Sequence, residues 1–246
     1  GEAADGNPGP AESIQMREPL LQGLRTLGLS EDCVPQLERY GELLLKKNEV
    51  MNLTAITAPD DVARLHFLDS LALLNLTDFS GKSLVDVGTG AGFPGLPLRI
   101  CRPDIRLTLL DSLGKRVTFL QEVCDALGLE DVACVHGRAE EFAAGHRESF
   151  DLAASRAVAS LPMLCELCLP LVRPGGAFLA MKSVDCGQEL SAAAKAIEVL
   201  GGEVEDVRDY EVPGAAVTHR LISIRKVRPT PAKYPRAFAK IKKAPL

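Results

Sequence analysis

The chain has 246 residues, 46% of them hydrophobic and 25% charged, which suits one α/β domain of generous size with an added segment. Aromatic residues make up only 4% and Trp is absent, so the core must be built from Leu, Val, Ile and Ala. No run approaches the roughly 20 apolar residues of a membrane span, and a formal charge of −5 argues at first against a polyanionic partner.

That charge is unevenly distributed. Residues 225–246 carry eight Lys or Arg and no acid, leaving 20 basic against 33 acidic side chains, a formal −13, in the rest. A concentrated basic tail on an acidic body can still bind polyanions, because binding follows the local field.

In chain order, residues 1–11 have the composition of a disordered tail and resemble neither a signal nor a transit peptide. The expected setting is cytoplasmic. Residues 12–76 read as a helical segment. Leu20, Leu21, Leu24 and Leu27 recur at helical spacing, with Ser30 as an N-cap after the break. "VPQLERYGELLLKKN" gives a second helix and "PDDVARLHFLDSLALLNL" a third, its Pro59 and two aspartates placed as at a helix start.

From 77 to 227 the pattern becomes strand–helix alternation. Short apolar runs at 83–88, 106–111, 131–137, 150–156 and 176–182 read as strands separated by helices, the signature of a mostly parallel sheet covered on both faces. "EVEDVRDYEV" and "THRLISIRKV" leave no room for an intervening helix and should form a terminal antiparallel pair. Residues 228–246 form the basic tail. The seven cysteines are odd in number and irregular in spacing, and read as reduced, buried thiols. Cys165 and Cys168 form a C-x-x-C with no second pair, so no metal site is expected.

"LVDVGTGAGFPGLPL" (84–98) carries the chemistry. In an open α/β sheet, ligands sit beyond the carboxyl ends of the strands. There Gly88, Gly90 and Gly92 let the backbone turn close to a ligand, and Asp86 puts a carboxylate beside the loop. Asp111 ends the second strand, 21 residues past Gly90, where an acid accepts hydrogen bonds from both hydroxyls of an adenosine ribose. The pair points to an adenosine-containing cofactor. Gly90–Gly95 satisfies the dinucleotide pattern G-x-G-x-x-G, but three features favour S-adenosyl-L-methionine (AdoMet). Asp86 would face a pyrophosphate, Pro94 and Pro97 interrupt the helix start, and no second mononucleotide half follows.

"DVGTGAGFPGLPL", "LLDSLGKRVTFL", "GRAEEF" and "SRAVASLPML" follow in order, with "NEVMNLTAI" and "HFLDSL" upstream and "TPAKYPR" downstream. Together they resemble the bacterial 16S rRNA guanine-N7 methyltransferases, the glucose-inhibited division protein B family, from about residue 37 to the end. The resemblance implies a class I AdoMet-dependent methyltransferase fold, Rossmann-like. It implies that Gly88 and Phe93 line the cofactor site, that Ala139 and Glu140 hold the adenine side, and that Arg156 faces the cofactor. It implies 16S rRNA or the 30S subunit as partner. Ser183 and Ala239 depart from the family's common glycines, which bears on loop geometry and RNA contacts.

Guanine N7 carries a lone pair and no proton, so no general base is needed and no catalytic residue is assigned. Phosphate contacts are expected from Lys233, Arg236, Lys240, Lys242 and Lys243. Arg138 is placed with them, against the alternative of a surface ion pair with Glu140 or Glu141. Tyr234 or Phe93 could stack on a base, with cofactor contact the better role for Phe93. His66 could meet RNA or be a satisfied core histidine. Asn48, Asn52 and Thr54 read as turn residues beside the site. The expected working form is a monomer with no obligate protein partner. An NAD-linked oxidoreductase and a non-catalytic RNA-binding factor are the competing readings.

Overall fold

A computed structural model of the chain describes residues 10–246, with side chains from residue 15. The tail expected over 1–11 lies, for residues 1–9, outside the described residues, and helix α1 (Pro10–Leu27) already includes Pro10 and Ala11. Helix α2 (Val34–Asn48) follows. Met16, Leu20 and Leu24 from α1 and Leu37, Tyr40 and Leu44 from α2 recur at helical spacing and are buried. Ser30 does not cap α2 as expected. Its Oγ accepts the Asp32 N–H within the preceding turn, and the helix starts later with Pro35 in its first turn.

The third helical stretch is not uniform. It runs as α3 (Pro59–Asp61), a π-helical segment Val62–Leu68, α4 (Asp69–Leu71) and a 3-10 turn Ala72–Asn75. π-Segments recur at functional sites, and this one carries His66 and leads into Asp69.

The remaining elements alternate as expected: β1 (Ser83–Val87), α5 (Gly95–Cys101), β2 (Arg106–Asp111), α6 (Gly114–Leu127), β3 (Val132–His136), α7 (Ala139–His146), β4 (Phe150–Ser155) and α8 (Leu161–Cys168). After a 3-10 turn come β5 (Val172–Ser183), α9 (Gly187–Ala192), α10 (Ala194–Val199), β6 (Gly202–Val212), β7 (Val217–Lys226) and α11 (Phe238–Lys243). The sheet order is β3-β2-β1-β4-β5-β7-β6. β1 to β5 are mutually parallel, and β7 runs antiparallel between β5 and β6. The order reverses between β1 and β4, the place where α/β sheets open a ligand crevice.

Successive strand residues feed opposite faces. Leu84, Leu107, Leu109 and Leu179 pack with α1, α2, α5 and α6, while Val85, Val87, Phe178 and Ile222 pack with α8, α10 and the C-terminal segment. Cys165 and Cys168 are buried free thiols in the second cluster, where burial pushes both thiol pKa values up. The expectation of reduced thiols fails at one pair. The start of α2 and the end of α5 pack together, and Cys33 and Cys101 are disulfide-bonded with Cα atoms 5.4 Å apart.

The C-terminal segment is anchored. Arg147 donates to the carbonyls of Thr230, Pro231 and Tyr234 at 2.6–2.8 Å. Lys226 is fully buried, donates to the Leu169 and Val172 carbonyls, and has its pKa lowered by burial to about 8.

Candidate functional site

The turn after β1 is braced from behind. Asp86 is 0% exposed, and its Oδ2 accepts the Thr89 hydroxyl (2.7 Å) and the Gly95 N–H (2.8 Å). Burial dominates over these bonds and raises its pKa to about 7. Asp86 therefore holds the glycine loop to α5 and does not line the open side, contrary to the expectation of a carboxylate facing a cofactor ammonium.

Asp111 braces the loop from the other flank. Its Oδ2 accepts the Gly90 N–H (2.8 Å) and its Oδ1 the Leu113 N–H (2.9 Å), with 3% of the residue exposed. Each oxygen retains one lone pair for a ligand hydroxyl.

Apart from Ala91, the amides of the turn are engaged within the protein. Gly88 and Thr89 donate to the Leu110 carbonyl, Gly90 to Asp111, Gly92 and Phe93 to the Thr89 carbonyl, and Gly95 to Asp86. A phosphate-binding turn needs such N–H groups free and convergent. This one offers a smooth backbone cradle instead, which suits a cofactor without phosphate. Gly90 has φ +59°, and a Cβ there would meet nothing within 4 Å, so the cradle is open above it. At Gly88 a Cβ would sit 3.9 Å from Ala157, which ties the cradle to the loop after β4. Ala139 and Glu140 open α7 beyond β3 on the same sheet edge.

A charged cluster lies alongside. Arg156, directly after β4, donates to His66 Nδ1 (2.8 Å) and the Leu65 carbonyl (3.3 Å), and lies 3.5 Å from Asp69 Oδ2. Its guanidinium sits 5.0 Å from the Phe93 ring centroid, and Phe93 stacks on His66 at 4.4 Å. Burial first, and the Arg156 charge second, lower the His66 pKa to about 3. The ring is thus neutral, with Nδ1 as acceptor and Nε2–H donating to Thr54 Oγ1 (2.7 Å). Asn48 fixes Thr54 by accepting the Leu53 and Thr54 amides and donating to the Thr54 carbonyl. His66 is a satisfied core histidine, and Asn48, the last residue of α2, supports it by holding the loop at Leu53 and Thr54.

Asp69, Tyr210 and His219 are functional candidates that sequence reasoning missed. Asp69 is buried, and its Oδ1 accepts the Tyr210 hydroxyl (2.7 Å) and His219 Nδ1–H (2.9 Å). The Asp69 bond raises the His219 pKa. A lone acid inside "HFLDSLALL" was the available signal.

The expected RNA contacts divide. Lys233, Lys240, Lys242 and Lys243 are exposed, and Arg138 is exposed with its guanidinium 4.9 Å from the Phe238 ring centroid. Arg236 is not free for phosphate. Its guanidinium grips Glu166, which is 0% exposed, through Nε (3.1 Å) and Nη2 (2.7 Å), and its backbone N–H adds a third donor. Tyr234 is buried, which removes it as a stacking platform, and Phe93 is covered by His66 and Arg156.

Replacing the two tail cations separates these roles. Arg236→Ala strands the buried Glu166 carboxylate and should lower stability by about 3 kcal/mol, read as a drop in melting temperature at any salt. Lys240→Ala should leave melting unchanged and flatten the salt dependence of RNA binding by about one unit of log–log slope.

Known proteins place this geometry. Solved structures share the fold at low identity. They include TYW2 from M. jannaschii in complex with AdoMet (TM-score 0.53, 11% identity, 65% of this chain and 75% of that one). TrmN from Thermus thermophilus is another (TM-score 0.51, 21% identity, 64% and 48%). Sequence relatives are far nearer. The ribosomal RNA small subunit methyltransferase G of Geobacillus thermodenitrificans is 48% identical over 90% of this chain and 94% of its own. That of Alkaliphilus metalliredigens is 47% identical over 92% and 97%. Residues 33–217 match the family described as rRNA small subunit methyltransferase G. The glycine cradle, the switch-point crevice and the match along most of the chain agree, and the chain belongs to the rRNA small subunit methyltransferase G family, AdoMet-dependent enzymes of the class I methyltransferase fold.

Proposed function

We propose that the protein transfers the methyl group of AdoMet to N7 of a specific guanine in 16S rRNA. The observation that carries this reading is the glycine cradle, most of its amides engaged within the protein and open over Gly90, whose neighbour Ala157 also lines a cavity at the ends of β4 and β5. When bound, AdoMet supplies a methyl group on a positively charged sulfur. Gly88 and Gly90 would give it close backbone approach, Asp111 would take the ribose hydroxyls on its remaining lone pairs, and Ala139 and Glu140 would border the adenine.

Arg156 forms the wall towards the substrate, backed by the buried Phe93 ring beneath its guanidinium. Asp86 acts indirectly, by holding the turn in shape. The guanine lone pair at N7 needs no base, so these residues work by positioning. Lys233, Lys240, Lys242 and Lys243, with Arg138, supply the phosphate-neutralising face. Specificity falls to a splayed guanine entering the cavity.

The test is methyl transfer from labelled AdoMet to 30S subunits and to 16S rRNA lacking N7-methylguanine, followed by chemical cleavage mapping. One labelled guanine that cleaves as N7-methylguanine is the expected result. AdoMet binding with no transfer to either substrate would defeat the substrate assignment.

A further inference from the structure

The cavity beyond β4 and β5 has a volume of about 340 Å³ and is lined by Arg156, Ala157, Val158, Lys182, Glu189 and His219, among others. That is near the lower bound of about 300 Å³ for small-ligand sites. Most of its polar groups are already committed. Both Asp69 oxygens face partners, and His219 Nδ1 and the Tyr210 hydroxyl are held by Asp69. Lys182 Nζ donates to the Ala159 carbonyl (2.8 Å) and to Glu189 Oε1 (2.9 Å). The Leu161 N–H also donates to that same Oε1, at 2.6 Å. Two donors on Oε1 fix the carboxylate, and among the described residues Oε2 has no hydrogen-bond donor on it.

We infer that Glu189 reads the target base, accepting an N–H from the Watson–Crick edge of the guanine at Oε2. This rests on the guanine-N7 reading above. Guanine presents two adjacent N–H donors on that edge, at N1 and at the exocyclic N2, whereas adenine sets a single N6–H donor beside a bare N1 acceptor that a carboxylate repels. Flipped bases are read on that edge, and with N7 towards the methyl donor it is the Watson–Crick side that points away, deeper into the cavity.

The same contact favours the reaction. The N7 lone pair forms the new N–CH3 bond as the C–S bond breaks and its electron pair stays on sulfur. Positive charge leaves the cofactor and arrives on the purine, which makes the N1–H a stronger donor. A carboxylate already held against it binds the transition state more tightly than the ground state. No proton moves to Glu189. Val158, fully exposed on the loop between β4 and α8, lines the mouth and would cover the apolar face of the base.

Glu189→Gln tests this with little disturbance. The amide oxygen can keep the Leu161 and Lys182 bonds at the Oε1 position while an NH2 replaces the Oε2 acceptor. With 30S subunits as substrate, kcat/KM should fall on the order of 10- to 100-fold. AdoMet affinity should stay at its wild-type value, and the melting temperature should fall only modestly, since Lys182 loses its counter-charge but keeps its bonds to the amide oxygen and to the Ala159 carbonyl. Against subunits carrying adenine at the target position, the preference for guanine should narrow. Wild-type kcat/KM in the variant would overturn the assignment. So would an equal loss of AdoMet affinity, or a variant already partly unfolded at the assay temperature, since Glu189 would then belong to the cofactor cleft or to the fold. A wild-type protein that methylates no guanine defeats the rRNA reading itself, and the assignment with it.

Discussion

Gly92→Ala should unfold the loop that Gly90→Ala leaves standing. At Gly92, φ is +112° and a Cβ would be driven into the Tyr40 hydroxyl, with Leu120 Cδ2 at 3.0 Å and Leu96 Cβ at 3.2 Å. The Tyr40 hydroxyl cannot yield, because it donates to the Ala91 carbonyl and its ring packs between Phe67 and Phe93. Overpacking of this kind costs about 1–3 kcal/mol, and a non-glycine residue in such backbone adds about 1–3 more. A loss of 3–4 kcal/mol lowers the melting temperature of a domain this size by roughly 6–16 °C.

At Gly90 the new methyl points into open space and φ is +59°, a left-handed conformation that alanine adopts at about 1 kcal/mol. Its stability penalty is small, but the methyl projects into the cradle. Gly90→Ala should therefore weaken AdoMet binding with little change in melting, while Gly92→Ala loses both. Calorimetric titration of AdoMet beside thermal melts separates them. Unimpaired AdoMet binding by Gly90→Ala would show that the cofactor lies elsewhere.

How legible each element is in the sequence depends on the range of the interactions that hold it. β1, β2 and β4 were legible because short Val- and Leu-rich runs bounded by turn residues have few other solutions. The first four residues of β5 were not, since "VRPGG" reads locally as a turn and is held in the sheet by Val172 pairing with Phe150. The third helical stretch has helical periodicity, but its π-segment is visible only in backbone bonding.

In the site, the glycine turn and Asp111 stand out because their chemistry is local. Asp86 was legible as an important acid but not as a buried brace, because its orientation depends on Thr89 and on the Gly95 amide opening α5. Asp69 was hidden for a different reason. The partners that give it meaning, Tyr210 and His219, lie 141 and 150 residues later in the chain. Arg236 was misread on the same ground. Basic neighbours suggest a phosphate contact, whereas Glu166, buried in the apolar helix α8, decides its role.

Arg156→Met should cut activity more than any other single change near the cleft and alter how stability responds to acid. The guanidinium is the cation facing the buried Asp69, the donor to His66 and the charge over Phe93. Methionine keeps much of the stem but leaves Asp69 with only Tyr210 and His219 as donors, and His66 Nδ1 without its partner. Charged hydrogen bonds of this kind contribute about 1.5–3 kcal/mol of stability, and with the cleft wall no longer pinned in place kcat/KM should fall on the order of 100-fold.

The acid response has a defined sign. In the wild type, the His66 pKa is about 3 against the ordinary histidine value of 6.5, so the unfolded chain binds a proton that the folded protein refuses. The stability His66 contributes is fully present above pH 6.5 and drains away as pH falls towards about 3. Desolvation is the larger cause and persists in the variant, but the repulsion from Arg156 is gone and the Asp69 attraction remains. The folded-state pKa therefore rises, and the loss of stability on acidification becomes shallower and ends at a higher pH. Urea unfolding at pH 7.0, 5.5 and 4.5 should show Arg156→Met less stable than wild type at pH 7.0, with the gap narrowing as pH falls. Repeating the pair in a His66→Asn background should reduce the narrowing to the part carried by Asp86 and His219, whose pKa values the Arg156 charge also lowers. A gap that stays constant with pH in the presence of His66 would mean that the Arg156 charge is not what keeps that ring neutral.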